Sequence, residues 1–263
     1  MSDVQEAANY VLEHLRTDGP VDIMRQAFAP QDMAEAYAMQ DELVKLLSAR
    51  KGAIGGYKIG LTNPAVQQRI GVDEPCAGVI FAEDIVRSPA TLTSSNYVRP
   101  AAECEVAFTL GSDLPVSLAP FNRDNVSAAV ESIAASFEIV DGRPSDAEDR
   151  RTLAMKLVAT NVAQAGAVLG SQITDWRGID LVSMRGVEFL NGAAVGEGLG
   201  SDVMGHPIEP LVWLANLLAE RGQHLLAGQV IVTGSLMTPV DFAAGDTVSF
   251  EAEALGEVQL TVE

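Results

Sequence analysis

Ala101-Ala102-Glu103-Cys104-Glu105-Val106-Ala107-Phe108-Thr109-Leu110 reads as a β-strand with a decided orientation. Side chains alternate between the faces of a strand, so Cys104, Val106, Phe108 and Leu110 make one continuous apolar row while Glu103 and Glu105 share the opposite face. Burial of the apolar row fixes the register and aims both carboxylates the same way. Two parallel carboxylates repel unless a cation joins them. Mg²⁺ or Mn²⁺ is the simplest such partner, because hard divalent ions take carboxylate oxygens and keep positions open for water. Spacing alone leaves a second reading open, a solvated strand face paired with Lys or Arg, which is ordinary in antiparallel sheets.

Downstream, Ile133-Ala134-Ala135-Ser136-Phe137-Glu138-Ile139-Val140-Asp141 sets a single Glu inside an apolar run. Desolvating an unpaired carboxylate costs several kcal/mol, so Glu138 must be neutralised, hydrogen-bonded or coordinated. Coordination alongside Glu103 and Glu105 satisfies all three; an ion pair with Arg143 or Arg123 at a sheet edge is the alternative. Upstream, Gly55-Gly56-Tyr57-Lys58-Ile59-Gly60-Leu61-Thr62 places Lys58 in a strand among glycines, where a ligand can approach closely. A lysine near a metal and a desolvated pocket can act as acid, base or oxyanion partner. Its other reading is an edge-strand lysine that blocks aggregation.

Around these segments the chain alternates helices and short strands. Helices are expected at 3–17, opened by a Ser2/Gln5 capping box, and at 31–49, 64–70, 122–136, 147–163 and 207–221. Strands are expected at 54–59, 78–81, 101–110, 137–140, 165–169, 185–190, 193–199, 229–233, 246–253 and 257–262. The fold class is therefore α+β. A helical segment, 1–52, precedes a strand-rich part, 53–263, with a soft boundary and no repeat or long linker.

With 263 residues, 48% of them hydrophobic, the chain can bury a sizeable core, and wholesale disorder is excluded. Lys and Arg number 17 against 36 Asp and Glu, a formal charge of −19, so nucleic acid and anionic membranes are poor partners. No apolar run has the length of a membrane span. Two cysteines are too few for a disulfide framework, and the first residues lack the order of a signal peptide, so a cytoplasmic location is expected. His14, His206 and His224 have no zinc-binding spacing. Ser235 lies outside any GxSxG elbow. Cys76 has no flanking base to make a thiolate, and neither a GxGxxG nor a Walker motif occurs.

Taken together, Gly56-Tyr57-Lys58-Ile59-Gly60-Leu61-Thr62, Gly71-Val72-Asp73-Glu74-Pro75, Glu103-Cys104-Glu105 and Glu138-Ile139-Val140-Asp141 resemble the 2-hydroxypenta-2,4-dienoate (2-keto-4-pentenoate) hydratases and 4-oxalocrotonate decarboxylases of the fumarylacetoacetate hydrolase superfamily. The likeness continues through Asn161, Gly170, Trp213-Leu214-Ala215-Asn216, Thr233-Gly234-Ser235 and Ala244-Gly245-Asp246. It implies a mixed-β fold of the superfamily's C-terminal type behind an N-terminal helical segment, working as a homo-oligomer. Glu103, Glu105 and Glu138 match the ligands of a Mg²⁺ or Mn²⁺ ion, and Lys58 matches the active-site lysine. Leu61, Asn161, Thr233, Gly234 and Ser235 match residues that border a 2-hydroxydienoate or 2-oxo acid. The implied reaction is hydration of a 2-hydroxy-2,4-dienoate to a 4-hydroxy-2-oxo acid in aromatic catabolism. Decarboxylation of a 2-oxo-dienedioate is the alternative, and a non-catalytic partner subunit a third reading, since Cys76 stands where relatives often carry Asp.

Overall fold

A computed structural model describes residues 3–15, 17–70, 72–143 and 150–263. Its helices are α1 (Asp3–His14), α2 (Met33–Lys51), α3 (Pro64–Ile70), α4 (Arg123–Ala129), α5 (Arg150–Ala159) and α6 (Glu209–Glu220). Its strands are β1 (Ile54–Gly60), β2 (Cys76–Phe81), β3 (Ile85–Arg87), β4 (Ala90–Leu92), β5 (Pro100–Leu110), β6 (Val130–Asp141), β7 (Gln164–Leu169), β8 (Arg185–Leu190), β9 (Ala193–Leu199), β10 (Val230–Val232), β11 (Val240–Asp241), β12 (Thr247–Ala252) and β13 (Gly256–Val262). The larger sheet runs β2-β1-β10-β5-β6-β7-β3, with β11 also on β5, and the smaller runs β4-β13-β12-β8-β9. Both are mixed, since β1–β10, β3–β7 and β4–β13 pair in parallel.

The predicted apolar row of β5 is the face that meets the smaller sheet. Cys104, Val106, Phe108 and Leu110 join Phe137 of β6 and Val248, Phe250, Val258 and Leu260 of the second sheet in the main core. Burying a large side chain of this kind contributes about 1.5–3 kcal/mol, so this layer carries most of the stabilisation. The opposite face of the larger sheet is closed too. Its Ile80, Ala107, Ala167, Leu169, Val230 and Val232 form a separate small cluster. β2 and β7, far apart in the strand order, meet across it. The sheet is thus rolled with the carboxylate face inside.

Helices α1, α2 and α5 pack together through Ala8, Val11, Tyr37, Leu43, Met155 and Val158, and Cys76 of β2 joins them. The buried Gln40 ties this layer down, donating through Nε2 to the carbonyls of Ala77 and Val158 at 2.8 and 3.0 Å. The first 52 residues therefore share their core with an element from the strand-rich part. No helix among the described residues is long and apolar enough to cross a membrane.

Two expectations on secondary structure are corrected. The helix predicted at 122–136 opens at Asn122, which forms a capping box with Asn125, but it stops at Ala129. Val130–Asp141 is strand because β5 offers a partner for nearly its whole length, and cross-strand pairing outweighs the helical preference of the alanines. The helix predicted at 147–163 ends at Ala159, where Asn161, Val162 and Ala163 turn the chain with φ of 60°, 55° and 54°. Residues 147–149 lie outside the described residues, as do Ser2 of the expected capping box and Gly71. The short strands β3, β4 and β11 were not expected.

Candidate metal centre

The interior of the roll holds the charged residues that the sequence singles out. Glu103 of β5 stands directly across from Glu138 of β6, and Glu105 across from Ser136, which puts three carboxylates on one inward face. An oxygen from each lies within 4.8 Å of the others. Glu105 and Glu138 are fully buried and Glu103 is half-buried, so the solvated-face reading of this strand does not hold. Glu105 Oε2 accepts a hydrogen bond from the Gly234 amide at 2.7 Å. Its Oε1 and the Oε2 of Glu138 have no hydrogen-bond partner.

Lys58 reaches the same point from β1. That strand lies between β2 and β10, so the edge-strand reading is excluded. Its Nζ lies 2.6 Å from Glu138 Oε1 with both side chains out of solvent. Arg143 instead pairs with Asp141, and Arg123 with Glu209; neither serves Glu138. The surrounding glycines have separate tasks. A Cβ on Gly56 would fall 1.8 Å from the Val230 carbonyl oxygen, so that glycine admits a neighbouring strand. A Cβ on Gly78 would fall 3.1 Å from Lys58 Cδ, so that one clears the lysine stem.

Burial pushes the Glu105 carboxyl well above the usual range, and the charges of Glu138 and Glu103 push it further. Burial and Glu103 also raise Glu138, against the pull of Lys58. For Lys58, burial favours loss of the proton, but Glu138 and Glu103 together outweigh it and hold the ammonium above its usual range. Three carboxylates against one ammonium leave two negative charges when all are ionised, and a divalent cation balances them. The donor set is all oxygen, two of its buried oxygens lack partners, and its members already converge. These residues fit Mg²⁺ or Mn²⁺.

A cavity of about 530 Å³ opens over the site, lined by Lys58, Leu61, Glu103, Gly234 and Ser235 among others. Leu61, with φ of 59°, turns the chain out of β1 into this wall. Gly234 is required where it stands: at φ of +104° an added Cβ would lie 2.0 Å from Thr62 Oγ1. Thr233 sits behind the wall, its buried hydroxyl donating to the Val106 carbonyl at 3.0 Å. Asn161, like Thr233, is not part of the cavity lining. Its amide clamps β2, accepting from the Val79 N–H at 2.8 Å and donating to the Val79 carbonyl at 2.9 Å, while the next residues, Val162 and Ala163, line the cavity. Cys76 lies beside Lys58, but burial pushes its thiol up to about 12, so it brings no negative charge.

One buried carboxylate escaped sequence reading. Glu188 of β8 is fully buried, its oxygens have no nitrogen or oxygen donor, and burial raises its pKa to about 7 against the pull of the neighbouring Cys104 thiol. It adjoins Cys104 on the core side of β5, away from the Glu103, Glu105 and Glu138 trio. The signal that could have found it is strand periodicity, which sets Glu188 on the face opposite Val187 and Phe189.

Residues 68–263 match the family model described as fumarylacetoacetate (FAA) hydrolase C-terminal. The chain is 36% identical over 226 residues to 2-hydroxyhexa-2,4-dienoate hydratase of Comamonas testosteroni, covering 84% of this chain and 83% of that one. It is 30% identical over 259 residues to 2-keto-4-pentenoate hydratase of Paraburkholderia xenovorans (strain LB400), covering 98% and 94%. Among solved structures, 4-oxalocrotonate decarboxylase from Pseudomonas putida G7, complexed with magnesium and adipate, superposes with a TM-score of 0.87 at 27% identity over 99% of this chain and 97% of that one.

Proposed function

Because the chain belongs to the fumarylacetoacetate hydrolase C-terminal family, we propose that it is a divalent-metal-dependent lyase that hydrates a 2-hydroxy-2,4-dienoate to a 4-hydroxy-2-oxo acid. The observation that carries this reading is the convergence of Glu103, Glu105 and Glu138 with Lys58, of which Lys58 and Glu103 line one cavity. Glu103, Glu105 and Glu138 would hold a Mg²⁺ or Mn²⁺ ion, which would supply a Lewis acid to stabilise enolate-like charge on the substrate.

The chain's own residues then divide the remaining work. Ketonisation moves the 2-hydroxyl proton to carbon 5 and yields a 2-oxo-3-enoate; Lys58 Nζ, buried beside the carboxylates, carries that proton. Water next adds across the remaining double bond, oxygen to carbon 4 and hydrogen to carbon 3. The Gly234 N–H fixes the orientation of Glu105. Leu61 and Val66 make the cavity wall apolar and limit bulk water.

Ultraviolet absorbance of freshly generated 2-hydroxypenta-2,4-dienoate tests the reading. Decay that requires Mg²⁺ or Mn²⁺, stops with chelator and yields 4-hydroxy-2-oxopentanoate supports it; decay at the spontaneous rate overturns it for that substrate. The likeness to 4-oxalocrotonate decarboxylase gives the second reading its footing, since the same electron sink serves loss of carbon dioxide. Carbon dioxide release from a 2-oxo-dienedioate separates the two.

A further inference from the structure

The cavity over the carboxylates is larger than the acid that its floor would hold. Its volume of about 530 Å³ falls among those of sites that take drug-sized ligands, about 300–1,000 Å³, and a five-carbon acid fills little of it. Beyond the floor the wall is largely apolar, with Val66, Val140, Leu157, Val162 and Met237, interrupted by the neutral Asn63 and Thr238. Such a lining suits a carbon chain and sets no charge against an ionised far end.

Arg69 breaks that apolar wall. Lys58, Glu103 and Arg69 are the charged residues of the lining. Lys58 is already paired with Glu138, whereas Arg69 has no ion pair among the described residues. It lies on α3, a short helix with no buried residue. That helix lends the cavity Val66 and Arg69, three positions apart and so on one face. The helix thus presents an apolar contact and a planar, permanently charged fork to the same space. A chain of net charge −19 repels a dianion at long range, which makes a local cation the feature that would retain one.

We propose that Arg69 reads a second anionic group at the distal end of the substrate, so that the cavity selects an α,ω-dicarboxylic 2-oxo or 2-hydroxy acid over the monoacid of equal length. The proposal rests on the reading above, in which the substrate's 2-oxo acid end lies at Glu103, Glu105 and Glu138.

Calorimetric titration with two unreactive probes, 2-oxoadipate and 2-oxohexanoate, in saturating Mn²⁺ tests it. The wild type is expected to bind the dioate about fivefold more tightly, the scale of one solvent-exposed ion pair, with the preference shrinking as salt rises. The ratio of affinities should fall towards one in Arg69→Gln and invert in Arg69→Glu. A wild-type ratio of one, or a ratio unchanged in Arg69→Gln, overturns the role of Arg69 while monoacid binding keeps the metal-site reading standing. If neither acid binds the Mn²⁺-loaded wild type, the metal-site reading falls and this proposal falls with it.

Discussion

Lys58 Nζ and Glu138 Oε1 meet at 2.6 Å inside the rolled sheet, joining β1 to β6 across two intervening strands. The pair ties the only buried ammonium of the cluster to one of three carboxylates that repel each other. Removing one partner of a buried pair leaves a charge without compensation, a loss of about 3–5 kcal/mol where the group cannot change its protonation.

Lys58→Met should therefore lower turnover by about 10²–10⁴-fold, the usual worth of a positioned acid or base. It should also enlarge the thermal shift given by Mn²⁺, because the metal no longer competes with an ammonium for Glu138. Lys58→Arg keeps the positive charge but puts a wider, planar guanidinium where the compact ammonium sits, so the proton path through Nζ is lost and turnover should fall there as well. Steady-state rates and melting curves of both variants, with and without Mn²⁺, check this; full turnover in either variant removes Lys58 from the proton path.

Metal removal is expected to act on stability as well as rate. An ion that binds only the folded state stabilises it by about 2.7 kcal/mol at a concentration a hundred times its dissociation constant, so chelator should lower Tm. In Glu105→Gln one of the crowded charges is gone. Its metal-free Tm should equal or exceed that of the wild type, and Mn²⁺ should no longer raise it. A normal Mn²⁺ shift in this variant would show that the ion binds without Glu105.

The trio was legible because a period of two is local: Glu103 and Glu105 share a face whatever lies opposite, and Glu138 stands out within an apolar run. What joined them was not local. Lys58 finds Glu138 only because the sheet rolls, and no property of residues 55–62 names a partner on β6. The helix predicted at 122–136 erred for the same reason. Ala128, Ala129, Ala134 and Ala135 suit a helix, but pairing with β5 extends the strand back to Val130. Nothing local in the sequence sets Arg69 or Glu188 apart, because the cavity and the second sheet that give them their surroundings are built from distant segments.

Gly234→Ala should damage the site without touching a charge. Its φ of +104° and the 2.0 Å approach of an added Cβ to Thr62 Oγ1 combine strain of about 1–3 kcal/mol with a steric clash. The amide that holds Glu105 Oε2 at 2.7 Å must shift to relieve it. Tm should drop by several degrees, at about 2–4 °C per kcal/mol for larger domains, and Mn²⁺ affinity should fall. An unchanged Mn²⁺ affinity would show that the Gly234 amide is dispensable for orienting Glu105.

Glu188 gives a pH test that is independent of metal. Burial raises its carboxyl from 4.5 to about 7 in the folded protein, while the unfolded chain releases the proton near 4.5. The folded state thus holds a proton that the unfolded state has lost, and stability declines as pH rises from about 4.5 to about 7. The full cost above that window is about 3 kcal/mol, from the 1.36 kcal/mol that each pH unit represents. Glu188→Gln keeps the shape and cannot ionise. Urea unfolding at pH 5.5 and pH 8, both in saturating Mn²⁺ so that the metal centre contributes equally to variant and wild type, should find the two proteins closer in stability at the lower pH. At the higher pH the variant should be the more stable. Parallel stability across both pH values would mean that Glu188 stays ionised in the core, held by a partner other than the Cys104 thiol beside it.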